Sequence, residues 1–225
     1  MDTAERTEPA GEGKITRLVA QKKNPNRVSV YLDGAYAFGV HGMLIADFRL
    51  SIGRVLTEAE RRKLAEADAV LRAKAVALNY IAYRPRTERE VRRKLAEKGF
   101  SDDFIAPVIE RLYALGYLDD AAYARNYAHA RYANKGYGPQ RIRTELLRRG
   151  VNRALVDATV DELTATSDPL EAARSYAEKR WQRLAGETDS RKRLKKLSDF
   201  LVRRGFTYDT VRRVLAELTE GDTDR

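Results

Sequence analysis

A chain of 225 residues with 43% apolar content is long enough for one or two domains with cores of their own. It has no cysteine, which excludes disulfides and thiolate metal sites and fits a reducing compartment. It also has no run apolar enough for a signal peptide or a membrane span, so a soluble, cytoplasmic protein is expected. Lys and Arg number 43 against 33 Asp and Glu, a net charge of +10, which favours an anionic partner over a merely solvated basic surface. Nucleic acid and an acidic protein groove both fit that charge.

Residues 1–13 hold Glu, Thr, Pro and Gly and almost nothing apolar, so they read as a disordered tail. From 14 to 56 the pattern is that of strands. Ile15, Leu18 and Val19 lead into the turn-rich Lys22-Lys23-Asn24-Pro25-Asn26. Val28, Val30 and Leu32 then alternate with polar neighbours, Asp33-Gly34 signals a tight hairpin, and Tyr36, Phe38 and Val40 resume the period of two. A three-stranded meander covered by Met43–Phe48 is expected. Thr57 with Glu60 is a capping box, and from there the chain reads as helix.

The helical part repeats itself three times, around Gly99, Gly150 and Gly205. Before each glycine, at position −4, stands a leucine: Leu95, Leu146 and Leu201. After it come a large apolar residue and a capping type: Phe100-Ser101, Val151-Asn152 and Phe206-Thr207. Apolar residues follow at +6, +10 and +13, as in Ile105, Ile109 and Leu112. Each glycine stops a second helix in the left-handed conformation, and the capping residue starts a third. Pro85, Asp119-Asp120, Pro139 and Asp168-Pro169 mark the remaining helix ends. The expected fold is mainly α: three tandem three-helix repeats forming an elongated, curved array behind a small β-meander subdomain. A linker helix and repeat 1 take 57–116, repeat 2 takes 117–166, repeat 3 takes 167–219, and 220–225 form a second disordered tail.

Basic residues gather on the second helices. Arg84, Arg86, Arg89, Arg93 and Lys94 do so in the first repeat, with Lys98 beside them. Arg141, Arg143, Arg148 and Arg149 do so in the second, and Arg191, Lys192, Lys195, Lys196, Arg203 and Arg204 in the third. The inward stripes are apolar, through Val91, Leu95, Ile142, Leu146, Leu197 and Leu201, so the basic residues are candidates for contacting phosphates or an acidic protein. Local ion pairs to Glu88, Glu90 and Glu97 are the competing reading. Tyr123, Tyr127, Tyr132, Tyr176 and Trp181 on the first helices are expected to be core.

The helices after the glycines carry Asp102, Asp103 and Glu110, then Asp157, Asp161 and Glu162, which would repel a DNA groove, so sequence-specific reading is not expected. There is no phosphate-binding glycine loop, dinucleotide fingerprint or zinc motif. His41 and His129 have no obvious partner. No enzyme activity, cofactor or metal is expected.

Arg84-Pro85-Arg86-Thr87-Glu88-Arg89-Glu90, Lys98-Gly99-Phe100, Gly116-Tyr117-Leu118-Asp119-Asp120 with Tyr123-Ala124, and Phe200–Tyr208 together resemble the RecX family of recombination regulators over about residues 70–218. The stretch 14–56 resembles an N-terminal extension found in some members. The resemblance implies three three-helix modules without catalytic activity and one partner, the RecA recombinase filament on single-stranded DNA, whose ATP hydrolysis and strand exchange members lower. It leaves open which repeat would touch RecA and which DNA. A stand-alone protein binding single- or double-stranded DNA without sequence preference is the alternative, and a monomer is the default state. Val151-Asn152 departs from the Phe-Ser and Phe-Thr of its siblings, which marks the surface of the middle module as the divergent one.

Overall fold

The computed structural model describes residues 12–223. It divides into two compact units. The first runs to Tyr83 and includes Arg92–Leu115; the second comprises Arg84–Val91 and everything from Gly116 on.

In the first unit, β1 (Gly13–Gln21), β2 (Asn24–Leu32) and β3 (Ala35–His41) form the expected antiparallel meander. Asp33 and Gly34 both take positive φ, 49° and 87°, as a two-residue hairpin turn of the mirror-image type requires. The sheet has a fourth strand that the pattern did not suggest. β4 (Val55–Leu56) pairs with Gly13 and Lys14, giving the order β3-β2-β1-β4. Two residues carry no readable period, but they close the free edge of β1 and bury Leu56. Gly13 is therefore in a strand, while residues 1–11 of the expected tail lie outside the described residues. The turn after β1 is also shorter than expected. β2 already begins at Asn24, and the register jumps from Gln21↔Asn24 to Ala20↔Val28. Pro25 is tolerated inside the strand because it falls in that bulge, where no partner on β1 needs its missing N–H.

Helix α1 (Met43–Asp47) and the long α2 (Glu58–Ala82) cover the sheet. Ile15, Val30, Val40, Leu44, Leu56 and Leu64 make one buried cluster. Thr57 and Glu60 form the expected reciprocal capping box at the start of α2. Asp68, almost wholly buried on α2, accepts from both terminal nitrogens of Arg27 at 3.2 and 3.0 Å and from the His41 amide at 2.8 Å. Arg72 Nε adds a contact at 3.0 Å. A buried carboxylate is tolerable only when paired this fully. Asp68 thus ties β2 and β3 to α2, and His41 belongs to that structural joint, its ring Nδ1 accepting from the Met43 amide.

The remaining helices are α3 (Glu88–Ala96), α4 (Asp102–Ala114), α5 (Asp120–Lys135), α6 (Pro139–Arg148), α7 (Arg153–Thr166), α8 (Pro169–Arg183), α9 (Ser190–Arg204) and α10 (Tyr208–Thr223). In the second unit α5, α6 and α7 enclose one core around Ala124, Ala128, Ile142, Leu146 and Val160. Helices α8, α9 and α10 enclose another around Ala173, Ala177, Leu197, Leu201 and Val214. The expected tyrosines and Trp181 pack against these cores while remaining partly exposed. α10 continues to Thr223, into the expected tail 220–225: residues 219–223 include no proline, and a single interior glycine weakens a helix without ending it.

Gly99, Gly150 and Gly205 take φ of +83°, +86° and +89°, so the repeated stop is one conformation used three times. The caps that follow are less uniform than their shared position suggests. Asn152 accepts from the Ala154 amide at 2.9 Å and Thr207 from the Thr210 amide at 3.2 Å, whereas Ser101 makes no side-chain cap bond. Val151 is as buried as Phe206, so the apolar half of the departure in repeat 2 lies in a core, while Asn152 is exposed.

Candidate interaction surface

The basic residues of the second helices fall into two groups. The first group is engaged internally, and half of it serves two joints built alike within the second unit. At one joint the start of α3 meets the end of α6. Thr87 and Glu90 close a capping box, with the Thr87 amide donating to Glu90 Oε2 at 3.2 Å and the Glu90 amide to Thr87 Oγ1 at 3.2 Å. Thr87 Oγ1 also donates to the Arg149 carbonyl at 2.7 Å. Asp120, at the start of α5, accepts from the Glu88 amide at 2.9 Å. The end of α6 is thereby covered, and the Arg89 stem lies where a side chain on Gly150 would have to go.

At the other joint the start of α6 meets the end of α9. The Gly138 amide donates to the Arg204 carbonyl at 2.7 Å and the Gln140 amide to the Gly205 carbonyl at 3.0 Å. Arg141 Nη1 reaches the Arg203 carbonyl at 3.2 Å. Thr87 and Gly138 each stand twelve residues before their own glycine, so the two joints share one register. Each places the positive end of one helix dipole on the negative end of another and satisfies orphan carbonyls in doing so.

The residue just before the glycine clamps each joint. Arg149 lies over the Tyr127 ring at 4.7 Å and reaches the Tyr123 hydroxyl at 3.1 Å. Arg204 lies over the Tyr176 ring at 4.4 Å and donates to the Lys135 and Gly136 carbonyls at 2.6 and 3.1 Å. Guanidinium suits this work because its flat face stacks on the ring while its edge keeps donating.

Glu90 collects further charge. Arg84 Nη2 donates to it at 2.8 Å, and Arg86 and Arg149 approach to 3.8 Å. Burial opposes ionisation of Glu90, but Arg84, the Thr87 amide and the charge of Arg149 outweigh it and hold the carboxyl below its usual range. Glu145 repeats the theme: burial raises its pKa, and the Tyr127 hydroxyl, Arg141 and Arg131 bring it down further than burial lifts it. Asp120 goes the other way, pushed up chiefly by burial, with the Glu88 amide opposing and the charges of Glu88, Asp119 and Glu90 adding to the rise.

Other expected contacts are also engaged internally. Arg141 pairs with Glu145 and lies 3.7 Å over Tyr137. Arg143 pairs with Asp157 at 2.9 Å and approaches Asp161, which neutralises part of the acidic α7. In the first unit Arg93 and Lys94 lie within 4 Å of Glu97, at 3.6 and 3.9 Å. In the third repeat Lys192 pairs with its own N-cap Asp189, and Lys196 with Glu187.

The second group is Arg89, Arg148, Arg191, Lys195 and Arg203. All are exposed and have no acidic partner among the described residues. Sequence reasoning missed the distinction between neighbours, as in Arg148 against Arg149. One available signal was the tyrosine eight residues after each first-helix cap, Tyr127 after Asp119 and Tyr176 after Asp168, which recurs only where arginine precedes the glycine. It also missed Asp68 and the exposed Tyr208, four-fifths accessible just after the Thr207 cap. Among the described residues no cluster of three or more His, Cys, Asp or Glu is placed to hold a metal, and no helix is long and apolar enough to cross a membrane.

A β-rich leader followed by three-helix units with equivalent joints defines a tandem helical-repeat protein. Family models described as the RecX N-terminal domain and the first, second and third three-helix domains of RecX match residues 13–57, 73–112, 119–160 and 167–215. The chain belongs to the RecX family of regulatory proteins. It is 35% identical over 209 residues to the regulatory protein RecX of Clostridium acetobutylicum, covering 92% of this chain and 97% of that one. It is 37% identical over 207 residues to that of Levilactobacillus brevis, covering 91% and 76%. A crystal structure of a regulatory protein RecX superposes with a TM-score of 0.72 at 30% identity, over 90% of this chain and 98% of that one. One from Lactobacillus salivarius gives 0.61 at 28% identity, over 68% and 98%.

Proposed function

We propose that this protein is a non-catalytic regulator of homologous recombination that binds the RecA filament on single-stranded DNA and lowers its ATP hydrolysis and strand exchange. The observation that carries this reading is the ordered match of all four RecX domains along one chain. The chemistry of the second unit supports it. Of the basic residues expected on the second helices, five remain exposed after the joints have taken theirs, and unpaired cations on a helical scaffold suit phosphates or acidic protein surfaces without reading bases. Arg89, Arg148, Arg191, Lys195 and Arg203 are the contacts this reading selects from the wider basic set. Arg84, Arg86, Arg141, Arg143, Arg149 and Arg204 act through the fold.

The test is a titration of the protein into RecA turning over ATP on single-stranded DNA, with binding to bare DNA measured at the same salt. Inhibition at near-equimolar protein, with weak binding to bare DNA, is the expected result. Unchanged ATPase over a wide range at low salt would sink it. Tight, salt-steep binding to bare DNA without any effect on RecA would instead establish a stand-alone DNA-binding protein.

A further inference from the structure

The repeated glycine turn is covered twice and open once. At Gly150 and Gly205 an added Cβ would lie 2.1 Å from the Arg89 side chain and 2.4 Å from the Arg141 backbone nitrogen, so another helix start is seated on each turn. At Gly99 the same added atom would meet nothing within 4 Å. Its backbone conformation is the same, and Gly99 and Lys98 are exposed. The Lys98 carbonyl accepts no hydrogen bond among the described residues, although its equivalents Arg149 and Arg204 both do.

The open turn also borders a groove of about 480 Å³ within the first unit. Leu71, Val76 and Phe100 give it an apolar floor, and Arg72 and Lys98 edge it. Arg72 is half exposed, lies 5.9 Å from the Phe100 ring centre and is held there by its pair with Asp68 at 3.0 Å, so Lys98 is the groove edge's unpaired cation among the described residues.

We infer that Lys98-Gly99-Phe100 is a third joint left open for a partner, and that it receives the N-terminus of an α-helix with a hydroxyl N-cap and a carboxylate three residues later. The occupant's chemistry comes from the closed joint of this same chain. There the docking helix begins with Thr87, whose hydroxyl donates to the carbonyl before the glycine. Its Glu90 stands 3.8 Å from Arg149, the cation at that position. Lys98 occupies the place of Arg149, so the same box on a foreign helix would give its hydroxyl to the Lys98 carbonyl and set its carboxylate towards Lys98. The C-terminal end of α3 carries the partial negative charge that a helix N-terminus complements. A second copy of this chain is the poorer occupant. Its own boxes of this kind are already engaged, Glu60 by Arg54 and Thr87 by the Arg149 carbonyl, and its α9 start carries Arg191, Lys192 and Arg193 in the first turn, against Lys98, and begins one turn earlier relative to its glycine than α3 and α6 do.

The test uses the full chain, isotope-labelled, and a lactam-stapled helical peptide with a threonine N-cap, glutamate three residues on and an otherwise neutral face. Amide shifts confined to Lys98, Gly99, Phe100 and the neighbouring part of α2 are expected. Lys98→Glu should weaken binding at least tenfold and Lys98→Arg should restore it, with the thermal midpoint unchanged in both. Replacing the peptide's threonine and glutamate by alanine should weaken binding to a similar degree. No shifts at millimolar peptide, shifts elsewhere, or indifference to Lys98→Glu would overturn the inference. Concentration-dependent dimerisation abolished by Lys98→Glu would also overturn it, assigning the turn to self-association. None of these outcomes depends on whether RecA is the partner.

Discussion

Gly205 and Gly99 occupy equivalent places in a repeated sentence and have nearly equal backbone angles, yet one is buried against a neighbouring helix start and the other is exposed. The comparison separates two demands that one glycine can meet. The first is conformational: a left-handed residue must end the helix, and a side chain there costs roughly 1–2 kcal/mol. The second is steric: a backbone must approach where a Cβ would stand. Gly99 meets only the first demand, and Gly205 meets both.

Alanine at the two positions is the sharpest way to break that comparison. Gly99→Ala should cost about 1 kcal/mol, the left-handed strain alone. Gly205→Ala should cost upwards of about 3 kcal/mol, because the new methyl would meet Arg141 backbone at 2.4 Å and a packed joint must shift to admit it. Thermal or denaturant unfolding of the two variants checks this. Equal losses would mean that the joint at Gly205 gives way freely and that conformation is the whole story.

Neighbouring arginines make the same comparison one position apart. Arg204 is stacked on Tyr176 and donates to two carbonyls, while Arg203 is exposed. Arg204→Met, which keeps the stem and loses the donors, should cost about 1.5–3 kcal/mol, the range for hydrogen bonds to a charged group. Arg203→Glu should leave the unfolding midpoint within experimental error and weaken RecA inhibition. If Arg203→Glu unfolds the third repeat, or Arg204→Met leaves stability intact, the two arginines do not divide into scaffold and surface.

Why the sequence showed the turns but not the joints follows from range. Helix ends are written locally: Thr57 with Glu60, Pro139 at a first turn and Asp168 with Pro169 are each decided within four residues. The three glycines were legible for the same reason. The joints couple Thr87 to Arg149 and Gly138 to Arg204, pairs 62 and 66 residues apart that no periodicity relates. Nothing local sets Asp68 apart from the other acids of its charged helix, and only the fold brings Arg27 and the His41 amide to it. The basic set was legible as composition, but its partition was not. Whether an arginine is spent or free depends on the ring and carbonyls that the neighbouring turn presents.

Acid should loosen the joints before the cores. Glu90 and Glu145 are held below the usual carboxylate range near 4.5, so their ionised forms are favoured in the folded state. The sign is that of a depressed pKa: the stabilisation is complete above the unfolded value and is lost as pH falls below about 4.5 through the folded one. Asp120 works in the opposite sense, since its raised pKa favours the protonated form and its contribution fades as pH rises through that value. The carboxylates pulled down therefore set the acid limb. Glu145→Gln should flatten the fall in stability between pH 5 and 3, by an amount on the order of 1 kcal/mol or less given its partial exposure. A variant whose acid limb superposes on that of the parent would show that Glu145 is not held by Tyr127 and Arg141.

The smallest contrast concerns the caps. Asn152 and Ser101 share one place in the repeat, and a shared place invites the expectation of a shared role. Asn152 satisfies the Ala154 amide, which would otherwise face solvent unpaired, and Asn152→Ala should cost about 1 kcal/mol. Ser101 has the extended backbone of a cap residue, φ −75° and ψ 162°, but its hydroxyl makes no cap bond. The start of α4 relies on Asp102 and Asp103, whose charges favour the positive end of the helix without a fixed partner. Ser101→Ala should therefore change stability by no more than a few tenths of a kcal/mol, and added salt should weaken the parent slightly by screening those two carboxylates. A loss at Ser101 as large as that at Asn152 would mean that its hydroxyl swings onto the helix in solution, and the three repeats would then be capped alike.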